Sequence, residues 1–339
     1  MRMVTLVQVF SKATPRVPTP VLVPVLGAVA IAAFSMIFAA GLWAVPARAA
    51  EMVLTGKPLF TLAAIDAKTA LDLPGAVTVD ASGRIIVADT GADRVVVFGG
   101  ERQFVLTFGK PGRKIANFNS PFGVATDGDG RIYVADTENN RVQVFDKDGK
   151  FLLAMGSKGS KPGELLRPIS LAVAGDRVYV VEVGNHRVSV FDRQGKFLFA
   201  FGEHGKGEGQ LAYPSGIAID SQGLIYIVNG MNFRIEVYDQ DGEFQYNFGK
   251  IGDTEGTFAR PKTIAFDSQD RLYVTDSLLN LVQIVDTDGN YLGKIGGQSE
   301  TPLFSQPFGI WVDKAGRVFV ADRGHNAIQV FEVKEEARE

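Results

Sequence analysis

The chain has 339 residues and a formal net charge of −3, and its 46% apolar and 22% charged residues are ordinary for a globular protein. It contains no cysteine, which excludes disulfides, thiolate zinc sites, catalytic thiols and iron–sulfur clusters. Its 38 glycines and 24 phenylalanines indicate many turns between short strands.

The first 49 residues differ from the rest of the chain and predict an export segment. Residues 21–45 carry no charge, and the residues before them carry only basic ones. Ala47, Arg48 and Ala49 then form a small-residue cleavage pattern. Because about 20 apolar residues span a bilayer, both a cleaved signal peptide and a retained membrane anchor stay open. Either alternative places residues 50–339 outside the cytoplasm: periplasmic, secreted, or anchored to the inner membrane by residues 21–45.

The charge of the exported part excludes one class of partner. The first 49 residues hold four basic and no acidic side chains, so the remainder carries a net charge of −7 instead of −3. Nucleic-acid binding requires a basic surface, and none is expected here.

Residues 50–339 contain one motif six times. A proline opens each unit, with steps of 46 or 47 residues between successive units; these prolines are Pro74, Pro121, Pro168, Pro214, Pro261 and Pro307. Each unit holds four apolar stretches of five to seven residues, bounded by Gly, Asp or Asn, which predicts four strands joined by tight turns. Four-stranded repeats of this length are typical of propeller blades. The sequence therefore predicts an all-β, six-bladed β-propeller with four-stranded antiparallel blades.

The sequence also predicts how the ring closes. After the third strand of the sixth unit only a charged tail remains, which is a poor fourth strand. Residues 56–63 resemble the fourth strand at residues 195–202, and Pro58 suits an outer edge because proline cannot donate to a sheet. The N-terminal strand is therefore expected to complete the last blade.

The repeat resembles a known family. Residues 184–188 read Gly-Asn-His-Arg-Val, and residues 121–145 contain Pro-Phe-Gly-Val-Ala-Thr-Asp, then Tyr-Val-Ala-Asp-Thr-Glu-Asn-Asn-Arg-Val-Gln-Val-Phe. This pattern resembles the NHL repeat over about residues 52–333. The resemblance implies the propeller fold but leaves the function open, since similar propellers include protein-binding sensors, RNA-binding domains, a zinc-dependent amidating lyase and metal-dependent lactonases.

One position of the repeat offers candidate metal ligands. The second strand of each unit ends in an acid or amide: Asp89, Asp136, Glu182, Asn229, Asp276 and Asp322. In the first three units an arginine lies five residues after the acid, which predicts a structural ion pair between the two side chains. If partly exposed, such a pair contributes about 0–1 kcal/mol to stability. The last two units lack this arginine, so Asp276 and Asp322 are expected to be freer to face the channel mouth, or to pair with Arg323 or a ligand. Glu182, Asn229, Asp276 and Asp322 are weak candidates for a calcium site of oxygen ligands; otherwise no metal or cofactor is expected.

The three histidines do not predict a zinc triad. His186 and His325 occupy equivalent turns three units apart, and His204 lies in a glycine-rich connection. Bonds of about 2 Å to one zinc ion cannot span such separations. This departs from the histidine requirement that the resemblance to the amidating lyase implies.

The residues beside the opening prolines predict a binding surface at one mouth of the channel, here called the upper mouth. They vary between units and combine aromatic with basic side chains, as binding sites do. The expected contacts are Phe122, Arg167, Tyr213, Lys262 and Phe308. The sequence favours a monomeric extracytoplasmic scaffold that binds a protein, peptide or small anionic ligand and meets a membrane only through an uncleaved anchor. The alternative is a metal-assisted lyase or lactone hydrolase with its site in the central channel.

Overall fold

The computed structural model describes residues 52–66, 68–297 and 302–337. The predicted export segment, residues 1–49, lies outside this part of the chain. None of the described residues belongs to a helix long and apolar enough to cross a membrane.

The described residues form six four-stranded units and one two-stranded ribbon. Blade I contains β2 (Ala76–Val79), β3 (Ile85–Asp89), β4 (Arg94–Phe98) and β5 (Phe104–Phe108). Blade II contains β6 (Pro121–Thr126), β7 (Ile132–Asp136), β8 (Arg141–Phe145) and β9 (Phe151–Met155). Blade III contains β10 (Pro168–Ala174), β11 (Arg177–Glu182), β12 (Arg187–Asp192) and β13 (Phe197–Phe201). The ribbon contains β14 (Glu203–His204) and β15 (Gln210–Leu211).

The second half of the chain continues the same order. Blade IV contains β16 (Pro214–Ile219), β17 (Ile225–Asn229), β18 (Arg234–Tyr238) and β19 (Phe244–Phe248). Blade V contains β20 (Pro261–Phe266), β21 (Leu272–Asp276), β22 (Leu281–Val285) and β23 (Tyr291–Gly296). Blade VI contains β24 (Pro307–Val312), β25 (Arg317–Asp322), β26 (Ala327–Ala337) and β1 (Met52–Leu62). Short 3-10 turns occupy Thr90–Ala92 and Thr137–Asn139.

The strands of each blade pair antiparallel in chain order, as the repeat predicts. The middle strands are buried along their whole length; β7 is one example, with every residue from Ile132 to Asp136 enclosed. The core lies between neighbouring blades, because side chains alternate between the two faces of a strand and each face meets an adjacent blade. Ile86 and Val95 of blade I, for instance, share a cluster with Val124 and Ile132 of blade II.

The N-terminal strand closes the ring, which confirms the predicted closure. β1 pairs antiparallel with β26 from Met52 opposite Ala337 to Leu62 opposite Ile328, with a bulge beside Pro58. The charged tail does not form a fourth strand. It extends the third strand, β26, because the first residues of β1 pair with it. A finding that the repeat did not predict is a short parallel pairing of Leu54 with Gly293 in β23, which joins blades V and VI in one sheet.

Candidate functional site

The acid or amide at the end of each second strand is a structural group. All six side chains are fully buried. Each accepts a hydrogen bond from a backbone N–H in the segment that leads into the first strand of its own blade; for Asp136 the donor is Asn119, at 2.8 Å. Each group thus fixes the chain where it enters a blade at the upper side.

The predicted acid–arginine pairs form in the first three blades. Arg94, Arg141 and Arg187 lie 2.7, 2.7 and 2.8 Å from their carboxylates. The carboxylates are buried and not partly exposed as expected, and burial raises the pKa of Asp89 and Asp136. In blade IV, Arg234 pairs with Glu236 instead, two residues along its own strand.

The expectation that Asp276 and Asp322 face the channel was wrong. Asp276 accepts backbone N–H bonds from four residues, which replace the missing arginine: Ala259, Arg260, Leu278 and Leu279. Asp322 is held by Ser305, Gln329 and, at 2.7 Å, Nδ1 of His325.

The four weak calcium candidates do not meet in one place. Glu182, Asn229, Asp276 and Asp322 belong to four different blades, and each is fully buried and hydrogen-bonded within its own blade. Among the described residues, no three histidine or acidic side chains are arranged to hold a metal ion.

Two of the histidines lie together, contrary to the separation expected from the sequence. The rings of His186 and His204 are 4.3 Å apart between centroids, and Tyr213 stacks edge-on against His186 at 4.8 Å. His325 lies in blade VI. The sequence did not predict that His186 and His204 are close, because their contact depends on how the connection between blades III and IV folds. This connection carries His204 and brings it to the turn that carries His186.

At five of the six junctions, the residue before the opening proline makes a hydrogen bond between blades. These five residues have positive φ values between 46° and 56°: Leu73, Ser120, Arg167, Tyr213 and Gln306. Each donates its N–H to a side chain in the upper turn of the preceding blade; the acceptors are Asn326, Asp93, Asn140, His186 and Asn280 in that order. Blade IV has Phe233 at the acceptor position, and Arg260 donates to Asp276 instead. The upper rim is therefore a rigid frame.

The residue after each opening proline lies at the channel mouth. These six residues are Gly75, Phe122, Ile169, Ser215, Lys262 and Phe308. The rings of Phe122 and Phe308 are in contact, with centroids 5.3 Å apart, although they belong to blades II and VI. Blade I between them carries Gly75, where an added Cβ would lie 3.2 Å from the Phe122 ring and only 2.4 Å from Oγ1 of Thr90. The glycine thus makes room for the aromatic pair.

Two cations cover this pair. The guanidinium carbon of Arg323 lies 4.9 Å from the centroid of Phe122 and 5.7 Å from that of Phe308. Nζ of Lys262 lies 5.6 Å from the centroid of Phe308. We call Phe122, Lys262, Phe308 and Arg323 the mouth cluster.

The sequence suggested Arg323 only as a partner of Asp276 or Asp322 and not as a contact of the binding surface. Arg323 directly follows the buried acid of blade VI. At the same position, blades I and II carry Thr90 and Thr137, whose hydroxyls donate hydrogen bonds to the carbonyls of Pro121 and Pro168 in the next blade. An arginine cannot make this short bond in the same way, and its side chain reaches the aromatic pair. The signal was in the sequence, as a charged residue at a position that joins blades.

The cations of the mouth cluster lack carboxylate partners within the described residues. Among the residues that the structure describes, no ion pair involves Lys262 or Arg323, and Nη1 of Arg323 is buried without a hydrogen-bond acceptor. Burial, together with the positive charges of Arg260 and Arg323, lowers the pKa of Lys262 against the attraction of Asp276. Burial also lowers the pKa of Arg323, against the attraction of Asp72. An anion at this point would stabilise both cations.

Two predicted contacts lie outside the mouth cluster. Arg167 is 55% exposed and lies 3.3 Å from Glu138. Tyr213 is 54% exposed and packs on His186. The structure thus brings together Phe122, Lys262 and Phe308, and it places the other two residues on the rim of blades III and IV.

Below the mouth cluster is a central cavity of about 200 Å³. All six inner strands line it, and its walls are mainly aliphatic and aromatic, with Trp311 and Phe266 among them. Thr126, Ser170 and Thr263 supply the polar side chains, and none of the described lining residues is titratable. Phe122 and Phe308 belong to both the mouth cluster and the cavity wall.

Comparison with known families agrees with the six-bladed architecture. The model of the NHL repeat matches residues 118–145 and 304–331, and a model described as a six-bladed β-propeller matches residues 168–250. The chain is a six-bladed β-propeller that contains NHL repeats at these two places.

Solved structures with a similar fold include two lyases and a protein of unknown function. The propeller matches a streptogramin B lyase with a TM-score of 0.58 and 14% identity, over 84% of this chain and 98% of that one. It matches a virginiamycin B lyase from Staphylococcus aureus with a TM-score of 0.57 and 15% identity, over 85% and 89% of the two chains. A Bacteroides thetaiotaomicron protein of unknown function gives a TM-score of 0.64 and 17% identity, over 84% and 77%. Identities this low show the fold alone, and no curated protein sequence matches the chain.

Proposed function

We propose that this NHL-repeat propeller is an extracytoplasmic binding module whose mouth cluster holds an acidic group of a protein, peptide or small ligand. The observation that carries the proposal is the pair of cations, Lys262 and Arg323, which lie on an aromatic pair without a carboxylate partner among the described residues. The rest of the proposal follows the sequence: a monomer outside the cytoplasm, with no nucleic-acid partner and membrane contact only through a retained anchor.

The chemistry of the mouth cluster favours an anion. Desolvated cations lose hydration that a bound carboxylate or phosphate replaces through charge-assisted hydrogen bonds. The rings of Phe122 and Phe308 hold the guanidinium of Arg323 in place, so less conformational entropy is lost on binding. Binding residues are often found on loops held by a rigid frame, and the hydrogen bonds between blades supply that frame here.

The alternative, a metal-assisted lyase or lactone hydrolase in the channel, has less support. Such chemistry needs groups that bind a metal or transfer protons at the reacting atoms. The cavity walls formed by the described residues offer hydroxyls but no carboxylate or imidazole. The similarity to lyases concerns the fold, and their active-site chemistry is not carried over.

Binding of a fluorescein-labelled peptide of alternating glutamate and phenylalanine, measured by fluorescence polarisation, tests the proposal. Arg323→Glu and Lys262→Glu should each weaken binding by about 30-fold, or about 2 kcal/mol, the loss typical of a buried hot-spot contact. Arg167→Glu, at an exposed residue paired with Glu138, is the matched control and should change affinity less than threefold.

A peptide with lysine in place of glutamate controls for non-specific attraction and should not bind. Equal affinity of the wild type and the two mouth-cluster variants would remove these residues from the proposal. Since Arg167→Glu and Lys262→Glu change surface charge in the same direction, a general electrostatic effect would weaken binding in both to a similar extent.

A further inference from the structure

We infer that the ligand of the mouth cluster is an amphiphilic anion, whose carboxylate or phosphate head binds Arg323 and Lys262 and whose apolar body enters the central cavity. This inference rests on the proposed function and names the class of ligand. It depends on a continuity in the structure, because Phe122 and Phe308 support the cations and also form the upper wall of the cavity.

The head site is built from charges that need a counter-ion. Nη1 of Arg323 is buried and donates to no described acceptor, while its guanidinium plane covers both phenylalanine rings. A carboxylate or phosphate presents paired oxygens, which match the fork of a guanidinium. Nζ of Lys262 lies 5.6 Å from the centroid of Phe308 and supplies a second positive charge beside the same ring pair. One anionic group is therefore the appropriate head.

The body site is apolar and of limited size. The cavity measures about 200 Å³, and its walls include Val77, Ile217, Ile264, Ile310 and Trp311. Apolar cavities of about 150 Å³ in other proteins bind benzene, which has six carbons. By proportion, this cavity accommodates an apolar body of about eight carbons. The low polarity of the walls excludes a second charged group, so a free dicarboxylate is a poor fit.

These features predict how affinity depends on the length of the apolar body. Each methylene that enters the cavity should tighten binding about fourfold, which corresponds to the transfer of one CH₂ from water. The increase should stop when the cavity is full, at about eight carbons. A binding site for an anion alone would show no such dependence.

The experiment measures binding of straight-chain carboxylates from acetate to dodecanoate to the full-length chain. Trp311 lines the cavity, and Trp43→Phe makes it the sole tryptophan, so its fluorescence reports entry of the apolar body. We expect octanoate to bind at least 100-fold more tightly than butanoate and to change Trp311 emission. Octyl phosphate tests the other head group, and octylamine, which has the same body with a cationic head, should not bind.

Two types of variant separate the head from the body. Arg323→Met should weaken octanoate at least tenfold. Ala218→Leu and Ala172→Leu each place a larger side chain in the cavity wall. Circular dichroism and Tm show which of these variants keep the wild-type fold. In at least one variant that does, affinity should stop rising at a shorter carboxylate chain than in the wild type.

The outcomes distinguish this inference from the proposed function. If acetate and octanoate bind equally and Trp311 emission is unchanged, the mouth cluster binds anions but the amphiphilic class is wrong. If chain length governs affinity but Arg323→Met has no effect, the head assignment is wrong. If no carboxylate or phosphate binds, while the acidic peptide binds through the mouth cluster, the proposed function stands and this inference falls.

Discussion

Nδ1 of His186 accepts a hydrogen bond from the backbone N–H of Tyr213, at 3.0 Å, across the junction of blades III and IV. The equivalent acceptors at the other junctions that form this bond are asparagine or aspartate oxygens. Because Nδ1 is the acceptor, the imidazole must be neutral with its proton on Nε2. A protonated ring would have a donor on Nδ1 facing another donor.

We expect this junction to weaken at acidic pH. Burial, followed by the charge of His204, lowers the pKa of His186 from its ordinary 6.5. The unfolded state therefore binds this proton more readily, so the contribution to stability is present above about pH 6.5 and is lost as the pH falls from there through the lower pKa of the folded state. The charged residues next to the two histidines along the chain are Arg187, which follows His186, and Glu203, which precedes His204.

His186→Asn should restore the acceptor used elsewhere and remove this titration. Denaturant unfolding at pH 8 and pH 5.5 measures the effect: the variant should gain about 0.5–1.5 kcal/mol over the wild type at pH 5.5, the value of one hydrogen bond, and little at pH 8. His204→Asn, which removes only the neighbouring charge, should give a smaller gain. Equal free-energy differences at the two pH values would contradict the role of His186.

The acid–arginine pairs give a second prediction, on stability. Arg141 donates to the fully buried Asp136 and to the carbonyls of Lys114 and Asn117. Removing one partner of a buried pair leaves an uncompensated charge, so Arg141→Ala should lower the free energy of unfolding by about 3–5 kcal/mol. Arg113→Ala, at an exposed residue of the adjacent loop, is the control and should stay within about 0.5 kcal/mol. A loss of less than 1 kcal/mol for Arg141→Ala would mean that this pair behaves like an exposed one.

The repeat made the blade architecture and its closure predictable, because both depend on local patterns. A proline, four apolar stretches and tight turns recur in every unit, and residues 56–63 repeat the pattern of an outer strand. The contacts between blades were not predictable in the same way. The approach of His204 to His186 and of Arg323 to Phe122 depends on how a connection folds over a neighbouring blade, and the repeat does not encode this. Burial of Asp276 likewise depends on four backbone N–H groups that only the folded loop brings together.

Export is the third prediction, and it concerns residues outside the described part of the chain. A reporter that is active only outside the cytoplasm, fused after Ala50, should be active because the charge pattern of residues 1–49 is typical of a signal or anchor. The mass of the mature protein then separates cleavage after Ala49 from a retained anchor. Activity of a cytoplasm-only reporter at the same junction would contradict export.

Ring closure gives the fourth prediction. β1 pairs along its whole length with β26 and contacts β23 through Leu54 and Gly293. Deleting residues 52–63 would leave the edges of both neighbouring strands without a partner, and exposed edges promote aggregation. We expect the shortened chain to aggregate or to unfold at a lower temperature than the full chain, as measured by light scattering and circular dichroism. Unchanged solubility and Tm would show that the ring is stable without β1.

A single substitution tests the contact between β1 and β23 without removing the strand. A Cβ at Gly293 would lie 2.1 Å from the backbone oxygen of Leu54, so Gly293→Ala must displace β1 from β23 and should cost about 1–3 kcal/mol. Gly128→Ala is the matched control, since a Cβ there meets nothing within 4 Å. If Gly293→Ala is as stable as Gly128→Ala, the parallel contact contributes little and closure depends on β26 alone. If it is destabilised but still monomeric, the contact stabilises the junction of blades V and VI while the pairing with β26 keeps the ring closed.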